Sequence, residues 1–329
     1  MQYALTLDLG QGFSVWIVVI QTREPRTVTV VGASGNLGST IVRALLAKGA
    51  QVRAMVRATS DRTRLESLGV TNFVVADLMD PNSLQRALTA DPRAEAVVAS
   101  AAGFTAHTAR TKGDNVRTDT EGYRNLVDAA KAVGVPRVVL VSILECDRAS
   151  DVPHFHQKFV TEQYLAEKSQ PYLALRAGAF LDRTGDIVAT KVRNGVFPDI
   201  LPGVAMSMTY TPHLARVAAK AALDVPTSAL NQSVDICCDV PATGLLVAAA
   251  FTHVLGRPVV AKPVFPRLLF AVMPIVAWFV PSLRDQISVL AWLRTGGYVS
   301  RDIQKQKDLF GELPTIEEAV AQYCRDKGL

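Results

Sequence analysis

A glycine-rich segment near the start of the chain constrains its fold more than any other feature. Residues 27–57 have the sequence TVTVVGASGNLGSTIVRALLAKGAQVRAMVR. The valine-rich run at 28–31 predicts a buried strand, and the loop at 32–38 follows it directly. Apolar residues then recur at helical spacing up to Gly49, and residues 51–56 predict a second strand. The segment therefore predicts one βαβ unit with a glycine-rich loop at its first turn.

A loop of this kind, between a strand and a helix, is typical of a dinucleotide-binding site. Small residues let backbone N–H groups approach a pyrophosphate, and the positive end of the helix faces the anion. A tight turn without a ligand is the less favoured alternative, because both the strand and the helix are in place. The predicted contacts in the loop are Gly32, Ser34, Gly35, Asn36, Leu37 and Gly38.

The end of the second predicted strand indicates which dinucleotide is bound. A site for NAD usually carries Asp or Glu about 20 residues after the loop, where it accepts from the ribose hydroxyls. This chain has Arg53 and Arg57 there instead. Because a guanidinium pairs well with a phosphate, Arg57 predicts recognition of the 2′-phosphate of NADP. We interpret Arg62 and Arg64 as a solvated basic rim.

Composition excludes several other classes of protein. The chain has 329 residues and is 49% hydrophobic and 20% charged, which indicates a globular protein long enough for one large α/β domain or a domain with an appended lobe. The net charge of +5 is spread along the chain without a basic run, which argues against nucleic-acid binding. The four cysteines show no metal-ligand spacing, so we expect no metal site and a reducing, cytoplasmic location. Cys237 and Cys238 are interpreted as buried apolar residues, with redox sensing as the less favoured alternative.

Strands and helices continue to alternate after the opening unit, which predicts a doubly wound, parallel sheet, and the less regular sequence that follows is mostly helical in pattern. Residues 179–192 look helical, and a strand at 233–238 is expected to return to the sheet. The apolar run at 268–280 contains Pro274 and is too short to span a membrane, so burial is favoured over contact with a membrane surface. We divide the chain into an N-terminal extension (1–26), an NADP-binding domain (27–178) and a substrate lobe (179–329).

Residues at the carboxyl ends of the predicted strands are the candidates for ligand contacts, because ligands bind at that edge of a parallel sheet. Lys158 is predicted to bond the nicotinamide ribose, Ser142 to hold a substrate oxygen, and His154 to donate a proton. A packing or capping role for His154 is an equal alternative, and Glu162 is expected to pair with Lys158 along the helix. Further predicted cofactor contacts are Asp77, Leu78, Ser100, Ala101 and Ala102, and the predicted substrate contacts are Phe104, Phe180 and Leu181.

Several of these segments together resemble the NmrA-like family of atypical short-chain dehydrogenases/reductases. They are GASGNLG, the Arg57 position, DTEGYRNLVDAAKAVGV, the strand ending in Ser142 and HFHQKFVTEQYL. The resemblance continues from Val28 to Phe180 and resumes at VLGRPV and at the C-terminal tail. It implies a doubly wound, parallel Rossmann sheet that forms an NADP(H) domain, with a smaller, mostly helical C-terminal substrate lobe. The loop glycines, Arg57 and Lys158 match the cofactor motif of the family. The family includes reductases and also regulatory proteins that bind the cofactor and contact partners.

One departure from the short-chain dehydrogenase pattern bears on catalysis. That pattern has Tyr four residues before the active-site Lys, and this chain has His154 there. A neutral imidazole is a weaker proton donor in that place than a phenol beside a lysine. We therefore expect an NADP-dependent oxidoreductase acting on a small apolar carbonyl or conjugated compound. The alternative is a non-catalytic NADP(H) sensor with a regulatory protein partner; an oligomer is left open, and integral membrane insertion is not expected.

Overall fold

A seven-stranded parallel sheet forms the centre of the protein. The computed structural model describes residues 2–8, 14–20, 26–103, 117–182, 187–264 and 284–329. In chain order the strands are β1 (Gln2–Asp8), β2 (Ser14–Ile20), β3 (Thr27–Val31), β4 (Gln51–Val56), β5 (Asn72–Val75), β6 (Ala96–Ala99), β7 (Val138–Ile143), β8 (Tyr172–Ala177), β9 (Ala179–Phe180), β10 (Val196–Asp199), β11 (Met208–Thr209), β12 (Gln232–Ile236) and β13 (Val260–Pro263).

Eleven α-helices occur in the described ranges; some cover the two faces of this sheet, and others form the C-terminal region. They are α1 (Asn36–Ala47), α2 (Thr63–Glu66), α3 (Pro81–Thr89), α4 (Tyr123–Ala132), α5 (Pro153–Glu167), α6 (Ile187–Arg193), α7 (Thr211–Leu223), α8 (Gly244–Leu255), α9 (Arg284–Arg294), α10 (Ile303–Phe310) and α11 (Ile316–Lys327). One π-helical turn, Thr118–Gly122, leads directly into α4. None of the helices in the described ranges is long and apolar enough to cross a membrane.

The order of the strands locates the crevice where a ligand would bind. The sheet runs β12–β8–β7–β6–β3–β4–β5, and all of its pairs are parallel. From β3 the chain first builds outward to β5 and then returns to β6 on the other side. The switch point therefore lies between the carboxyl ends of β3 and β6, next to the glycine-rich loop. This confirms the predicted doubly wound fold.

The alternation of side chains along β3 shows how the two faces of the sheet are filled. Val28 and Val30 are buried on one face together with Ile41 and Leu45 of α1. Val31 is buried on the other face, in a cluster that includes side chains of α3 and α4. Since parallel strands are buried on both faces, a run of valines suits this position. Burial of β3 on both sides holds the loop at its end in a fixed position.

The C-terminal region packs around a core of its own and is also tied to the sheet. Phe251 of α8 and Tyr323 of α11 are fully buried there, with their rings 5.7 Å apart in an edge-to-face arrangement. Gln306 of α10 accepts from the backbone N–H of Cys237 (2.8 Å) and donates to its carbonyl oxygen (3.1 Å). These bonds fix α10 to the chain just beyond β12.

The expected helix over residues 179–192 is wrong in its first half. Ala179–Phe180 forms a short strand that pairs with β11, and the helix α6 begins only at Ile187. A Cβ on Gly178 would lie 2.4 Å from the carbonyl oxygen of Ser207, so the backbone here packs directly against the residue that precedes β11. The division of the chain into domains stays a prediction. Phe104 and the apolar run at 268–280 lie outside the described residues.

Candidate functional site

The glycine-rich loop brings the ends of β3 and β6 into close contact. Gly32 has a φ of +79°, and a Cβ on it would lie 2.7 Å from the backbone nitrogen of Ala101. A Cβ on Gly38 would lie 2.0 Å from the carbonyl oxygen of Gly32. Only glycine fits at these two positions, because larger residues would push the strand end and the helix apart. The backbone can thus turn sharply from β3 into α1.

The N-terminal end of α1, which follows this loop, is exposed to solvent. Its N-cap, Gly35, has no side chain that could accept from the N–H groups of the first turn. Ser34, Gly35 and Asn36 are exposed. An anion placed here would meet backbone donors and the positive end of the helix. The loop residues therefore fit a pyrophosphate.

The arginines near the end of β4 lie in different environments. Arg57 is exposed, whereas Arg53 is 0% exposed and donates to the carbonyl oxygen of Pro92 (2.7 Å). Burial lowers the pKa of Arg53. Of these two, only Arg57 is available to a ligand. Arg64 donates to Oδ1 of Asn36 (3.4 Å), which brings this side chain of the expected basic rim against the glycine-rich loop.

The other predicted cofactor contacts lie around the switch point. The Ser100 hydroxyl donates to the carbonyl oxygen of Val31 (2.9 Å) and joins the end of β6 to β3. Ala102 is exposed, while Ala101 is half-buried against Gly32. Asp77 is exposed and accepts from the N–H of Met79 (2.8 Å), and the carbonyl oxygen of Leu78 accepts from Asn125 (2.9 Å). Their contacts with a cofactor stay predictions.

Lys158 is bound in a buried ion pair beside this crevice. Its Nζ lies 3.0 Å from Oδ1 of Asp119, and the two side chains are only 6% and 4% exposed. The other oxygen of Asp119 accepts from the N–H of Gly103 (3.0 Å). Nζ also donates to the carbonyl oxygen of Ala101 (3.4 Å) and lies 4.0 Å from the centre of the Tyr123 ring. Asp119 thus joins Lys158 to the backbone at the end of β6.

The electrostatic balance of this cluster keeps Lys158 charged. Burial acts to lower the pKa of Lys158, but the Asp119 carboxylate and then Tyr123 outweigh it, and the net shift is upward. Burial also raises the pKa of the Tyr123 phenol, which donates to the carbonyl oxygen of Ala101. The ammonium therefore has a full counter-charge and several acceptors before any ligand binds.

Ser142 of β7 is part of a second buried network. This network is centred on Glu162, which follows Lys158 by one helical turn on α5. It is 1% exposed, and its hydroxyl donates to Glu162 (2.5 Å). Glu162 also accepts from Arg176 (2.7 Å) and from the hydroxyl of Ser233 (2.8 Å). The expected ion pair between Glu162 and Lys158 is wrong, because each of them has a closer partner on another element. A substrate contact of Ser142 stays a prediction.

The remaining predicted residues lie nearby without forming one cluster. His154 is half-buried at the start of α5, its ring 4.8 Å from that of Phe155 in an edge-to-face arrangement. Phe180 is half-buried against the sheet, and Leu181 is 3% exposed within the core of the C-terminal region. Ser142 and Lys158 thus have separate partners, and the roles of His154, Phe180 and Leu181 stay predictions.

The cysteines are buried wherever they occur. Cys146, Cys237 and Cys238 each have a pKa raised to about 12, in the first place by burial. A thiol with so high a pKa forms little thiolate at neutral pH. No group of three or more metal-ligating side chains occurs among the described residues.

Sequence reasoning missed Asp119, Glu162 and Arg176 as members of these networks. Asp119 stands near the start of a predicted helix, where an acidic residue is ordinarily explained by the helix dipole. Its partner is 39 positions away in the sequence. A charged residue within an otherwise apolar strand, such as Arg176 in YLALRA, is the one available signal for a buried ion pair.

Comparison with known proteins now assigns the family. The sequence model of the NmrA-like family matches residues 24–281. The chain belongs to the NmrA-like family. Among curated relatives, the photosystem II assembly factor Ycf39 of Cyanophora paradoxa is 32% identical over 154 residues, which cover 47% of this chain and 46% of that protein. The chain thus spans less than half the length of the curated relatives it matches first.

Solved structures agree with this NmrA-like fold over nearly the whole chain. The NADPH-dependent quinone oxidoreductase QOR2 of Escherichia coli, complexed with NADPH, has a TM-score of 0.66 at 21% identity and covers 90% of this chain and 99% of its own. The triphenylmethane reductase of Citrobacter sp., complexed with NADP(H), has a TM-score of 0.68 at 22% identity and covers 90% and 99%. At this level of identity the likeness establishes the fold alone.

Proposed function

We propose that this NmrA-like chain is an NADP(H)-dependent reductase that passes a hydride to a conjugated, electron-poor acceptor. The observation that carries the proposal is the buried pair of Lys158 and Asp119 at the carboxyl end of β6, next to a glycine-rich loop that fits a pyrophosphate. The site holds a charged group in a fixed position where the middle of a dinucleotide would lie.

The residues that would hold the cofactor follow from their exposure and position. The loop and the first turn of α1 would bind the pyrophosphate, and Arg57 would bind the 2′-phosphate that distinguishes NADP from NAD. Ala101 and Ala102 leave room for the cofactor against the end of β6. When bound, NADPH supplies a hydride from its nicotinamide ring.

The kind of hydride acceptor follows from which polar side chains are already hydrogen-bonded within the protein. The hydroxyl of Ser142 is buried and donates to Glu162, and the ammonium of Lys158 is paired with Asp119. Neither is presented to a substrate oxygen, which leaves His154 as the predicted acid. An acceptor that spreads the incoming electron pair over a conjugated system, and then takes a proton from water, needs less help from an acid. Quinones, for which one of the two structural neighbours is named, have this property.

An assay with paired acceptors tests the proposal. We expect the purified chain to oxidise NADPH with simple quinones and to be much slower with saturated ketones of similar size, as followed by NADPH absorbance. The double variant Asp119→Asn with Lys158→Met removes the pair without leaving one buried charge. It should lose most of the turnover. Faster reduction of the ketones, or full activity of the double variant, would contradict the proposal.

A second candidate is a non-catalytic NADP(H)-binding protein that regulates or assembles a partner. It is favoured by the match to a photosystem II assembly factor. Here the cofactor would change the affinity for a partner through its occupancy or redox state. Tight binding of NADPH in calorimetry, with no turnover on any acceptor of the panel, would support this candidate over the first.

A further inference from the structure

A long groove runs along the outer side of α1, from Asn36 at the predicted cofactor loop to Ala47 at the other end of the helix. It encloses about 810 Å³ between α1, the start of α7 and the end of α11. On α1 it follows Asn36, Thr40, Ala44 and Ala47, a stripe at helical spacing. Short side chains form its floor, since Ala215 of α7 faces the alanines of α1. A second cavity of about 400 Å³ shares three of its lining residues and continues the groove toward α10.

The two carboxylates that line the larger groove already accept hydrogen bonds from the protein. Asp182 accepts from the N–H (3.1 Å) and the hydroxyl (2.9 Å) of Thr211. Asp326 accepts from the hydroxyl of Tyr210 (2.7 Å). In the adjoining cavity, Glu312 accepts from Lys220, and Glu318 accepts from the N–H of Thr315 in a capping box. The acidic groups of the groove thus have their own structural partners.

The basic side chains are less fully engaged. Arg43 is exposed, and no acidic side chain in the described ranges lies within ion-pair distance of it. The contact described for Arg64 is with the neutral amide of Asn36. Arg216 is 43% exposed and lies 3.5 Å from Glu312. Three guanidiniums, carried by α1, α2 and α7, therefore line the groove with hydrogen-bonding capacity left over.

We propose that this groove binds an acidic, extended segment of a partner protein. Charge complementarity selects the partner, because carboxylates would pair with Arg43, Arg64 and Arg216 over a floor of small side chains. The 12 residues of α1 make the groove about 18 Å long, which suits about six residues of extended chain. The groove is distinct from the proposed site of hydride transfer, because it extends along the flank of α1 and meets the predicted cofactor loop only at its Asn36 end.

A labelled oligoglutamate peptide of about eight residues is the probe, with oligoglutamine of the same length as the neutral control. Binding is measured by fluorescence anisotropy at low ionic strength, where exposed charges are least screened. We expect Arg43→Glu to weaken binding at least about tenfold. The matched control is Arg86→Glu, which makes the same change of charge at an exposed position on α3, on the opposite face of the sheet; it should weaken binding less than about twofold.

A second variant tests the shape of the groove without changing its charge. Ala47→Leu places a larger side chain on the floor at an exposed helix position, and we expect it to weaken peptide binding while NADPH binding stays unchanged. Equal losses for Arg43→Glu and Arg86→Glu would overturn the proposal, because the peptide would then respond only to net charge. Complete displacement of the peptide by NADPH would also overturn it, since the peptide would then occupy the cofactor site.

Discussion

Asp119 and Lys158 form an ion pair of 3.0 Å in which neither side chain is more than 6% exposed. They come from different elements, a π-helical turn before α4 and the middle of α5. The contact between them fixes the position of α5 relative to the ends of β3 and β6. The pair is therefore at once part of the core and part of the candidate site.

Removal of one charge from this pair should destabilise the fold. In Asp119→Asn the buried ammonium of Lys158 loses its counter-charge, and we expect the free energy of unfolding at neutral pH to fall by about 3 kcal/mol or more. The double variant Asp119→Asn with Lys158→Met should recover part of this loss. Urea unfolding of the three proteins measures it. A single variant as stable as the unmodified chain would show that the pair contributes nothing to stability.

Substitutions of glycine can separate ligand binding from the fold. A Cβ at position 35 would lie 3.3 Å from the carbonyl oxygen of Gly32, which needs only a small adjustment, whereas one at position 38 would lie 2.0 Å from it. Gly38→Ala should therefore fold poorly. Gly35→Ala should keep its unfolding midpoint within a few degrees but bind NADPH at least about tenfold more weakly, as judged by calorimetry. Unchanged NADPH affinity in Gly35→Ala would place the pyrophosphate elsewhere.

Arg57 should select the phosphorylated coenzyme. Loss of a charge-assisted contact to the 2′-phosphate costs about 1.5–3 kcal/mol, so Arg57→Ala should weaken NADPH about 10- to 100-fold while NADH changes little. Arg62→Ala is the matched control, because the Arg62 guanidinium lies over the ring of Phe73 at 5.2 Å. The ratio of the two dissociation constants in each variant is the measurement. Equal effects of both substitutions on that ratio would exclude Arg57 as the selecting residue.

Ser142 can be assigned to the core or to the substrate by comparing stability with kinetics. Ser142→Ala removes one of the donors to the buried carboxylate of Glu162, and we expect a loss of about 1–3 kcal/mol in the free energy of unfolding. Because the hydroxyl is buried, kcat/KM of the folded variant should change little. A large fall in kcat/KM at full stability would instead support the substrate contact that the sequence predicts.

Acid should lower the free energy of unfolding by weakening the ion pair between Glu312 and Lys220 of α7. The imidazole of His213, whose Nδ1 lies 3.5 Å from Oε2 of Glu312, and then the ammonium of Lys220 lower the pKa of Glu312 from 4.5 to about 2, against the opposing effect of burial. Since the folded pKa is below the unfolded one, the stabilisation is complete above about pH 4.5 and is lost as the pH falls toward 2. The difference in unfolding free energy between the unmodified chain and Glu312→Gln should shrink over this range. A difference that is independent of pH would contradict the shift.

The fold was predictable because its signals are local. The valine-rich β3, the glycines of the loop and the spacing of Ile41 and Leu45 all lie within one short stretch of sequence. The alternation of strands and helices then requires a parallel sheet. Arg57 and Lys158 were predicted from their positions after this pattern, and the family resemblance agreed with both.

The partners of the charged residues were not predictable in the same way. Sequence spacing favours a pair between Lys158 and Glu162 on one helix, yet the sheet brings Asp119 to one and Arg176 to the other. These contacts depend on which elements become neighbours, and that is decided by the packing of the whole sheet. The sequence also predicted that α6 begins at residue 179, whereas it begins at Ile187. The reason is similar, because residues 179 and 180 pair with β11 despite their helical pattern.

The edge strand β12 pairs with β8, but it follows β8 in the sequence only after the intervening residues 178–231. Its Ser233 completes the hydrogen bonding of Glu162, a residue of the first half of the molecule. A nascent or truncated chain ending before this strand would expose β8 as an open edge, the kind of edge that recruits other chains. We therefore expect that residues 27–178 do not fold on their own and that the protein unfolds as a single cooperative unit.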